Sequence, residues 1–300
     1  MDMIGIIADS SIRLTIPLLL GVLGEVISER AGVLNVGLEG MMTAGAFASY
    51  VILLVGWGVP AAILLAAVAG AAAACLVALG SVWMRGNQIL VGFALFIFLP
   101  GIANFLYIQS GWTAGTPAMP DLALPLLSRI PLIGHIIFDQ NIFYYIAIGL
   151  MILVWLMFSY TRMGLIIAAV GHDPSAAATK GVHPKRVQTY ALIACGIFAG
   201  LSGASLALGA VGSYVPNIIG GRGFIVIAIV ILGRWSVLGA SLGALALGTL
   251  DAIRLALAQQ PHVPVQLLAT LPWLVVMLML IASAKMHSNA PRTLVQQDGL

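Results

Sequence analysis

Four polar side chains lie close together at the end of the first apolar run of the chain, in the stretch GEVISERAGVLNVGLEGMM. They are Glu25, Glu29, Asn35 and Glu39. Carboxylate and carboxamide groups can hydrogen-bond a polar solute. A charged side chain at the centre of a bilayer costs at least about 2.5 kcal/mol on insertion scales. These groups are therefore expected to face protein, water or the membrane interface rather than lipid.

Glycines interrupt the same stretch. Gly32, Gly37 and Gly40 argue against a continuous helix through it. A helix that begins near Glu39 would place this carboxylate at its positive N-terminal end, with Asn35 in the irregular turn before it. Two interpretations remain open at this point. The stretch is either a broken element beside a polar pathway or an ordinary interfacial loop between two spans.

A second set of polar residues lies in the C-terminal half. Arg222 stands among glycines in GSYVPNIIGGRG, where glycine and proline predict a broken or re-entrant element. No acidic residue is near it in the sequence. Asp251 and Arg254 are spaced to pair on one helix face, and we interpret them as a structural pair. The candidate residues for a substrate pathway are therefore Asn35, Glu39, Asn217 and Arg222.

The composition identifies the class of protein that must position these groups. Of the 300 residues, 61% are hydrophobic and 8% are charged, with a mean hydropathy of +1.09. Soluble proteins have about a quarter of their residues charged. We predict one transmembrane domain over residues 1–300, an all-α polytopic bundle of about 8 or 9 spans with broken or re-entrant elements. The apolar stretches fall at roughly 11–28, 40–56, 60–84, 88–107, 142–160, 189–210, 221–234, 236–258 and 264–284.

The distribution of basic residues predicts the orientation of the spans. Nine alternating spans place nine of the 13 lysines and arginines on one side of the membrane. The positive-inside rule makes that side cytoplasmic. The N-terminus is then outside, and the tail, residues 285–300, is inside. The net charge of +3 is not gathered into a basic run, so no nucleic-acid partner is expected.

Two long stretches separate predicted spans. The outer loop, about 108–141, contains proline and aromatic residues but no helical period. The cytoplasmic stretch, about 161–188, contains GHDPSAAATKGV. Here Asp173 is a candidate N-cap, Pro174 a first helical residue and Gly181 a C-terminal stop. The pattern predicts a short amphipathic helix beneath the membrane.

The remaining motifs favour packing over chemistry. Cys75 and Cys195 lie in apolar segments, so neither a disulfide nor a metal site is expected. No phosphate-binding loop, H-E-x-x-H or G-x-S-x-G motif is present, and an enzyme is not expected. Rows of small residues at helix-packing spacing predict closely packed helices: Ala66, Gly70 and Ala74, then Gly196, Gly200 and Ala204, then Gly239 and Gly243.

Three segments resemble, in order and spacing, permease subunits of bacterial ABC importers of the branched-chain amino acid and ribose type. They are ERAGVLNVGLEGMMTAGAFAS, AVGHDPSAAATKGV and GSYVPNIIGGRGFIVIAIVILGRWSVLGA. The similarity is greatest to the nucleoside and simple-sugar branch, where an E-R-x-G-V-x-N-x-G-x-E-G segment and a G-R-G-F segment recur. It covers nearly the whole chain. It implies a multi-pass inner-membrane permease of the type II importer fold, with a nucleoside as first substrate choice and a simple sugar as second.

The resemblance also implies partners. A second permease, identical or related, would complete the pore, and an extracytoplasmic binding protein would deliver the small-molecule substrate. An ATPase subunit would bind the ATP, so no cofactor is expected in this chain. The ATPase would dock on the short cytoplasmic helix, through Asp173, Pro174, Ala177 and Gly181.

The chain departs from the family pattern at two places. It has Ile166 and Ala168 where family members often carry arginines before A-V-G, and Phe96 where they often carry an asparagine. Two rival functions follow from the residues alone. A secondary transporter driven by an ion gradient would need a coupling carboxylate at mid-membrane, and Asp251 is the fair candidate. A membrane-embedded enzyme would need a catalytic set, which the sequence does not offer.

Overall fold

The computed structural model describes residues 3–111, 121–123, 139–258, 265–283 and 291–295. Two short strands, β1 (Asp121–Ala123) and β2 (Asp139–Asn141), form an antiparallel pair. Every other regular element in these residues is helical. The helices are α1 (Met3–Arg30), α2 (Leu38–Leu54), α3 (Val59–Ala78), α4 (Gln88–Ser110), α5 (Ile142–Tyr160), α6 (Arg162–His172), α7 (Pro174–Thr179), α8 (Pro184–Ala204), α9 (Arg222–Leu232), α10 (Val237–Ala258), α11 (Val265–Ser283) and α12 (Arg292–Val295).

The predicted all-α polytopic bundle is confirmed, because each predicted apolar stretch overlaps a helix. Within the described part of the chain, six helices are long and apolar enough to cross a membrane: α1, α3, α4, α5, α8 and α10. The helices α3 and α8 continue as π-helical turns over Leu79–Trp83 and Ser205–Val211. Most of the predicted outer loop lies outside the described residues. The strand pair joins two of its described pieces, 121–123 and 139–141, with Asp121 opposite Asn141.

Two of the helices at predicted spans, α9 and α2, are shorter than the six long apolar helices. The helix α9 has 11 residues, a length of about 16 Å against a hydrocarbon core of about 30 Å. Before it runs an irregular segment, 212–221, with positive φ at Gly212, Asn217, Gly220 and Gly221. The 17-residue α2 also follows an irregular segment, residues 31–37. Both predicted breaks in helical structure are confirmed.

The helix α8 lies at the centre of the bundle, against α1, α2 and α3. Its glycines allow the neighbouring backbones to approach closely. A Cβ atom at Gly196 would lie 2.4 Å from the carbonyl oxygen of Gly70, and one at Gly200 would lie 2.0 Å from that of Ala66. On the other side of α8, a Cβ atom at Gly203 would overlap the carbonyl of Met42. The predicted packing role of the first two small-residue rows is confirmed.

Helices α6 and α7 form a layer at one end of the bundle. Thr161 caps α6, because its hydroxyl accepts a hydrogen bond from the Gly164 amide at 3.3 Å. The sequence predicted one short helix in this region and missed α6. The described piece of the C-terminal tail packs on the same layer, where the Thr293 hydroxyl donates to the Gly171 carbonyl at 2.7 Å. The tail and the predicted cytoplasmic stretch therefore share one end of the molecule.

We predict that Gly200→Ala destabilises the protein, because the new methyl group would overlap the α3 backbone. Overpacking of this kind costs about 1–3 kcal/mol. The measurement is the temperature at which half of the detergent-purified protein aggregates. Gly149→Ala is the matched control, since a Cβ there meets nothing within 4 Å; this change should leave the midpoint unchanged or raise it. Equal midpoints for the two variants would contradict the packing role.

Candidate functional site

The N-termini of α2 and α9 are in contact with each other. Glu39 lies in the first turn of α2, and its Oε1 accepts a hydrogen bond of 2.8 Å from the backbone amide of Gly221, the N-cap residue of α9. A Cβ atom at Gly223 would lie 2.7 Å from the Cβ of Glu39. The two segments are therefore in backbone contact. We call Glu39, Gly221, Arg222 and Gly223 the polar centre.

The polar centre stabilises a buried carboxylate that has no direct ion pair within the described part of the chain. Helix N-termini carry partial positive charge and unpaired amide groups, which favour an anion. Glu39 is within the first turn of α2 and bonded to the start of α9, so both helices contribute. The residue is 6% exposed, and its Oε2 has no hydrogen-bond partner among the described residues. One acceptor atom of the centre is thus available for a donor group.

Asn35 lies four residues before Glu39, in the irregular segment that precedes α2, and it is completely buried. Its backbone amide donates to Glu25 Oε1 at 3.1 Å, and its side-chain amide donates to Cys195 Sγ at 3.4 Å. Cys195 in turn lies 3.3 Å from Glu25 Oε2. The irregular segment before α2 is therefore fixed to α1 and α8 through polar contacts. Asn35 Oδ1 has no hydrogen-bond partner within the described part of the chain.

Glu29 connects the end of α1 to the turn after α9. Its Oε2 accepts a hydrogen bond from the indole Nε1 of Trp235, a residue with φ of +54° in the turn between α9 and α10. The sequence identified Glu25 and Glu29 as polar groups that need partners, but not these partners. We call Glu25, Glu29, Asn35, Cys195 and Trp235 the inner cluster.

The structure gives Arg222 an acidic partner from a distant helix. The sequence shows no acidic residue near it, yet its Nη2 lies 3.2 Å from Asp251 Oδ2 on α10. Asp251 Oδ1 also lies 3.3 Å from Arg254 Nε, as the helical spacing predicted. Arg222 further donates to the Ile219 carbonyl at 3.2 Å. Arg222, Asp251 and Arg254 therefore form one charged triad. The assignment of Arg222 to the substrate pathway stays a prediction.

Asn217 lies apart from the buried groups. It stands in the irregular segment before α9, with an exposed side chain and a φ of +64°. Asparagine is one of the few residues that adopt this left-handed conformation readily. The structure thus gives Asn217 a clear role in the turn. Its assignment to the pathway stays a prediction.

The predicted N-cap in the cytoplasmic stretch is confirmed. Asp173 Oδ1 accepts hydrogen bonds from the amides of Ser175 at 3.0 Å and Ala176 at 2.9 Å. Pro174 occupies the first helical position of α7, and Gly181 has a φ of +81° just after the helix.

The burial of Ala177 changes the expected docking surface. Ala177 is 7% exposed, so its side chain packs within this chain. Ala176, Ala178 and Thr179 are exposed on the same helix. A protein that docks on α7 would meet these three side chains first.

Comparison with known proteins identifies the family. The family described as branched-chain amino acid transport system / permease component matches residues 7–284. This chain belongs to that family. It is a permease component of an ABC importer and a multi-pass protein of the inner membrane. The resemblance found in the sequence is confirmed.

The permease is similar to several proteins that are named as ABC transporter permeases. NupC of Lactococcus lactis, named a nucleoside ABC transporter permease protein, is 35% identical over 82% of this chain and 81% of its own. NupQ of Bacillus subtilis, named a guanosine ABC transporter permease protein, is 33% identical over 82% and 81%. TsgC13 of Haloferax volcanii, whose name proposes a glucose ABC transporter permease protein, is 35% identical over 85% and 80%. No solved structure matches the chain.

We predict that Asp251→Asn destabilises the permease, because it leaves two mostly buried arginines without an anion. Removing one partner of a buried pair costs about 3–5 kcal/mol. The double variant Asp251→Asn/Arg222→Gln should lose less than the sum of the two single changes. Thermal midpoints of the purified protein provide the measurement.

The control for this prediction is Arg13→Gln, which breaks the more exposed Arg13–Asp9 pair. Exposed pairs contribute at most about 1 kcal/mol, so its midpoint should change little. Additive effects of the Asp251 and Arg222 changes would show that the two residues do not act together.

Proposed function

We propose that the permease provides half of a transmembrane pathway for a nucleoside, with a simple sugar as the second candidate substrate. The observation that carries this proposal is the polar centre. Glu39 joins two interrupted helices and keeps one buried oxygen without a hydrogen-bond partner among the described residues. Irregular backbone at membrane depth is tolerated where it is buried in protein or lines a water-filled cavity. The names of NupC and NupQ support the nucleoside, and that of TsgC13 supports the sugar.

The charges around the polar centre favour a neutral substrate. Arg222 is paired with Asp251, and the carboxylate of Glu39 is balanced by two helix N-termini. Both of these charged groups are therefore already in contact with partners inside the protein. Nucleosides and sugars carry hydroxyl groups that can donate to Glu39 Oε2 and Asn35 Oδ1, both of which lack partners in the described structure. We therefore keep Asn35 and Glu39 as the main pathway residues.

The same surroundings argue against an ion-driven mechanism. A coupling carboxylate has to gain and lose its ion during each cycle. Asp251, the candidate named from the sequence, lies between two arginine side chains at 3.2 and 3.3 Å. Both of its carboxylate oxygens therefore already contact guanidinium groups, and two adjacent positive charges repel a further cation. We propose instead that ATP, bound and hydrolysed by a partner ATPase, supplies the energy, with a second permease completing the pore and an extracytoplasmic binding protein delivering the substrate.

The proposal predicts ATP-driven uptake of guanosine by proteoliposomes that contain the full transporter, with no imposed ion gradient. Asn35→Ala and Glu39→Gln should reduce the uptake rate at least about tenfold at equal protein levels. Asn35→Ala removes the unpartnered Oδ1, and Glu39→Gln replaces one carboxylate oxygen by an NH2 donor while keeping one oxygen for the Gly221 amide. The variant Asn217→Ala, at an exposed residue, tests the contribution of the turn before α9 separately from that of the buried acceptors. Uptake that does not require ATP but is lost when a proton or sodium gradient is dissipated would overturn the proposal.

We propose that the ATPase docks on α7, the capped helix at the cytoplasmic end of the bundle. Ala178→Trp places a large side chain on its exposed face and should reduce co-purification of the ATPase and transport together. Ala169→Trp, at another exposed alanine on α6, is the matched control and should retain both. If Ala178→Trp transports and co-purifies normally, another surface binds the ATPase.

We propose the orientation given by the basic residues, with α7 and the tail in the cytoplasm. Cys75 and Cys195 are first replaced by alanine, and single cysteines are then introduced at Ala118 or Ser175. An impermeant maleimide added to intact cells should label position 118 and not position 175. The reverse pattern would invert the orientation of every span.

A further inference from the structure

Three phenylalanine rings form a cluster that the pathway residues do not include. The centroid of Phe96 lies 5.1 Å from that of Phe224, with an angle of 70° between the rings. Phe93 lies 6.0 Å from Phe96 and 6.1 Å from Phe224. Phe93 and Phe96 come from α4, and Phe224 comes from the first turn of α9. We call Phe93, Phe96 and Phe224 the aromatic cluster.

Backbone contacts place the aromatic cluster beside the polar centre. Gly223, which precedes Phe224, packs on Glu39, where an added Cβ would lie 2.7 Å from the Glu39 Cβ. The carbonyl of Leu95, which precedes Phe96, would lie 2.6 Å from a Cβ at Gly40. The chain neighbours of two rings therefore contact the first turn of α2. The aromatic cluster is therefore joined through neighbouring backbone to the turn that carries Glu39, whose Oε2 has no partner among the described residues.

The aromatic cluster keeps ring surface available. Phe93 is 42% exposed, and Phe96 and Phe224 are half-buried. The Phe93–Phe96 and Phe96–Phe224 pairs are edge-to-face, so in each pair one ring presents its edge to a face of the other. A carboxylate with an unsatisfied acceptor is costly beside lipid. The combination of ring faces and a nearby acceptor matches a ligand that is planar and apolar at one end and rich in hydroxyl groups at the other.

We propose that the aromatic cluster stacks the base of a nucleoside while Glu39 accepts a hydrogen bond from its sugar. The inference rests on the proposed nucleoside transport and narrows it, because a sugar alone lacks the planar ring. Stacking on aromatic side chains tolerates any base, since every base has a π-face. The site would therefore accept purine and pyrimidine nucleosides and discriminate against free ribose.

The test measures binding of tritiated guanosine to the detergent-purified full transporter without its binding protein, together with ATP-driven guanosine uptake. Phe96→Leu removes a ring and keeps an apolar side chain, and should weaken binding at least about fivefold. Phe96→Tyr keeps the ring face and should bind within about twofold of the unmodified protein. Phe105→Leu, at an exposed phenylalanine elsewhere on α4, is the control and should change nothing. Excess uridine should displace guanosine, and excess D-ribose should not.

Each alternative result contradicts a specific claim. The unmodified transporter could take up guanosine without detectable binding, or Phe96→Leu could have no effect on binding. Either result overturns the stacking site but agrees with nucleoside transport. Displacement by D-ribose as effective as that by uridine also overturns it. Loss of the permease pair in Phe96→Leu assigns the cluster to subunit contact instead. Import of D-ribose or D-glucose without guanosine overturns both the nucleoside proposal and this one.

Discussion

The hydrogen bond between Glu39 and the Gly221 amide is the contact on which the rest of the site depends. It crosses from the start of α2 to the start of α9, two helices whose preceding segments are irregular. Each irregular segment leaves backbone groups that need partners away from water. The Glu39 carboxylate accepts a hydrogen bond from one such backbone amide, at the start of α9. It also lies at the positive, N-terminal end of the α2 dipole. The close approach of Gly223 to Glu39 lets the two helix starts meet.

The groups around this bond determine which solutes the centre can accept. The triad of Arg222, Asp251 and Arg254 ties α9 to α10 and uses the charge of Arg222 within the protein. The inner cluster ties α1 to the segment before α2, through Glu25 and Asn35, and to the turn between α9 and α10, through Glu29 and Trp235. The centre therefore offers hydrogen-bond acceptors rather than a spare charge. This favours a neutral, hydroxyl-rich substrate over an amino acid or an ion.

The sequence predicted local features well and contacts between distant segments poorly. Glycine and proline spacing located both helix breaks, and the Asp173 cap followed from residue type alone, because these features depend on neighbouring residues. The partner of Arg222 comes from α10 and that of Glu29 from the turn after α9. No local pattern encodes such pairings. The buried side of α7 was also hidden, since a six-residue helix is too short to show which alanine faces inward.

The central claim is that the Glu39 carboxylate holds the starts of α2 and α9 together. Hydrogen–deuterium exchange of the purified permease tests it most directly, because an amide bonded to a buried acceptor exchanges slowly. Glu39→Ala should speed exchange in peptides covering residues 218–224, and Glu39→Gln, which retains an acceptor oxygen, should keep most of the protection. Equal exchange in Glu39→Ala and the unmodified permease would contradict the claim.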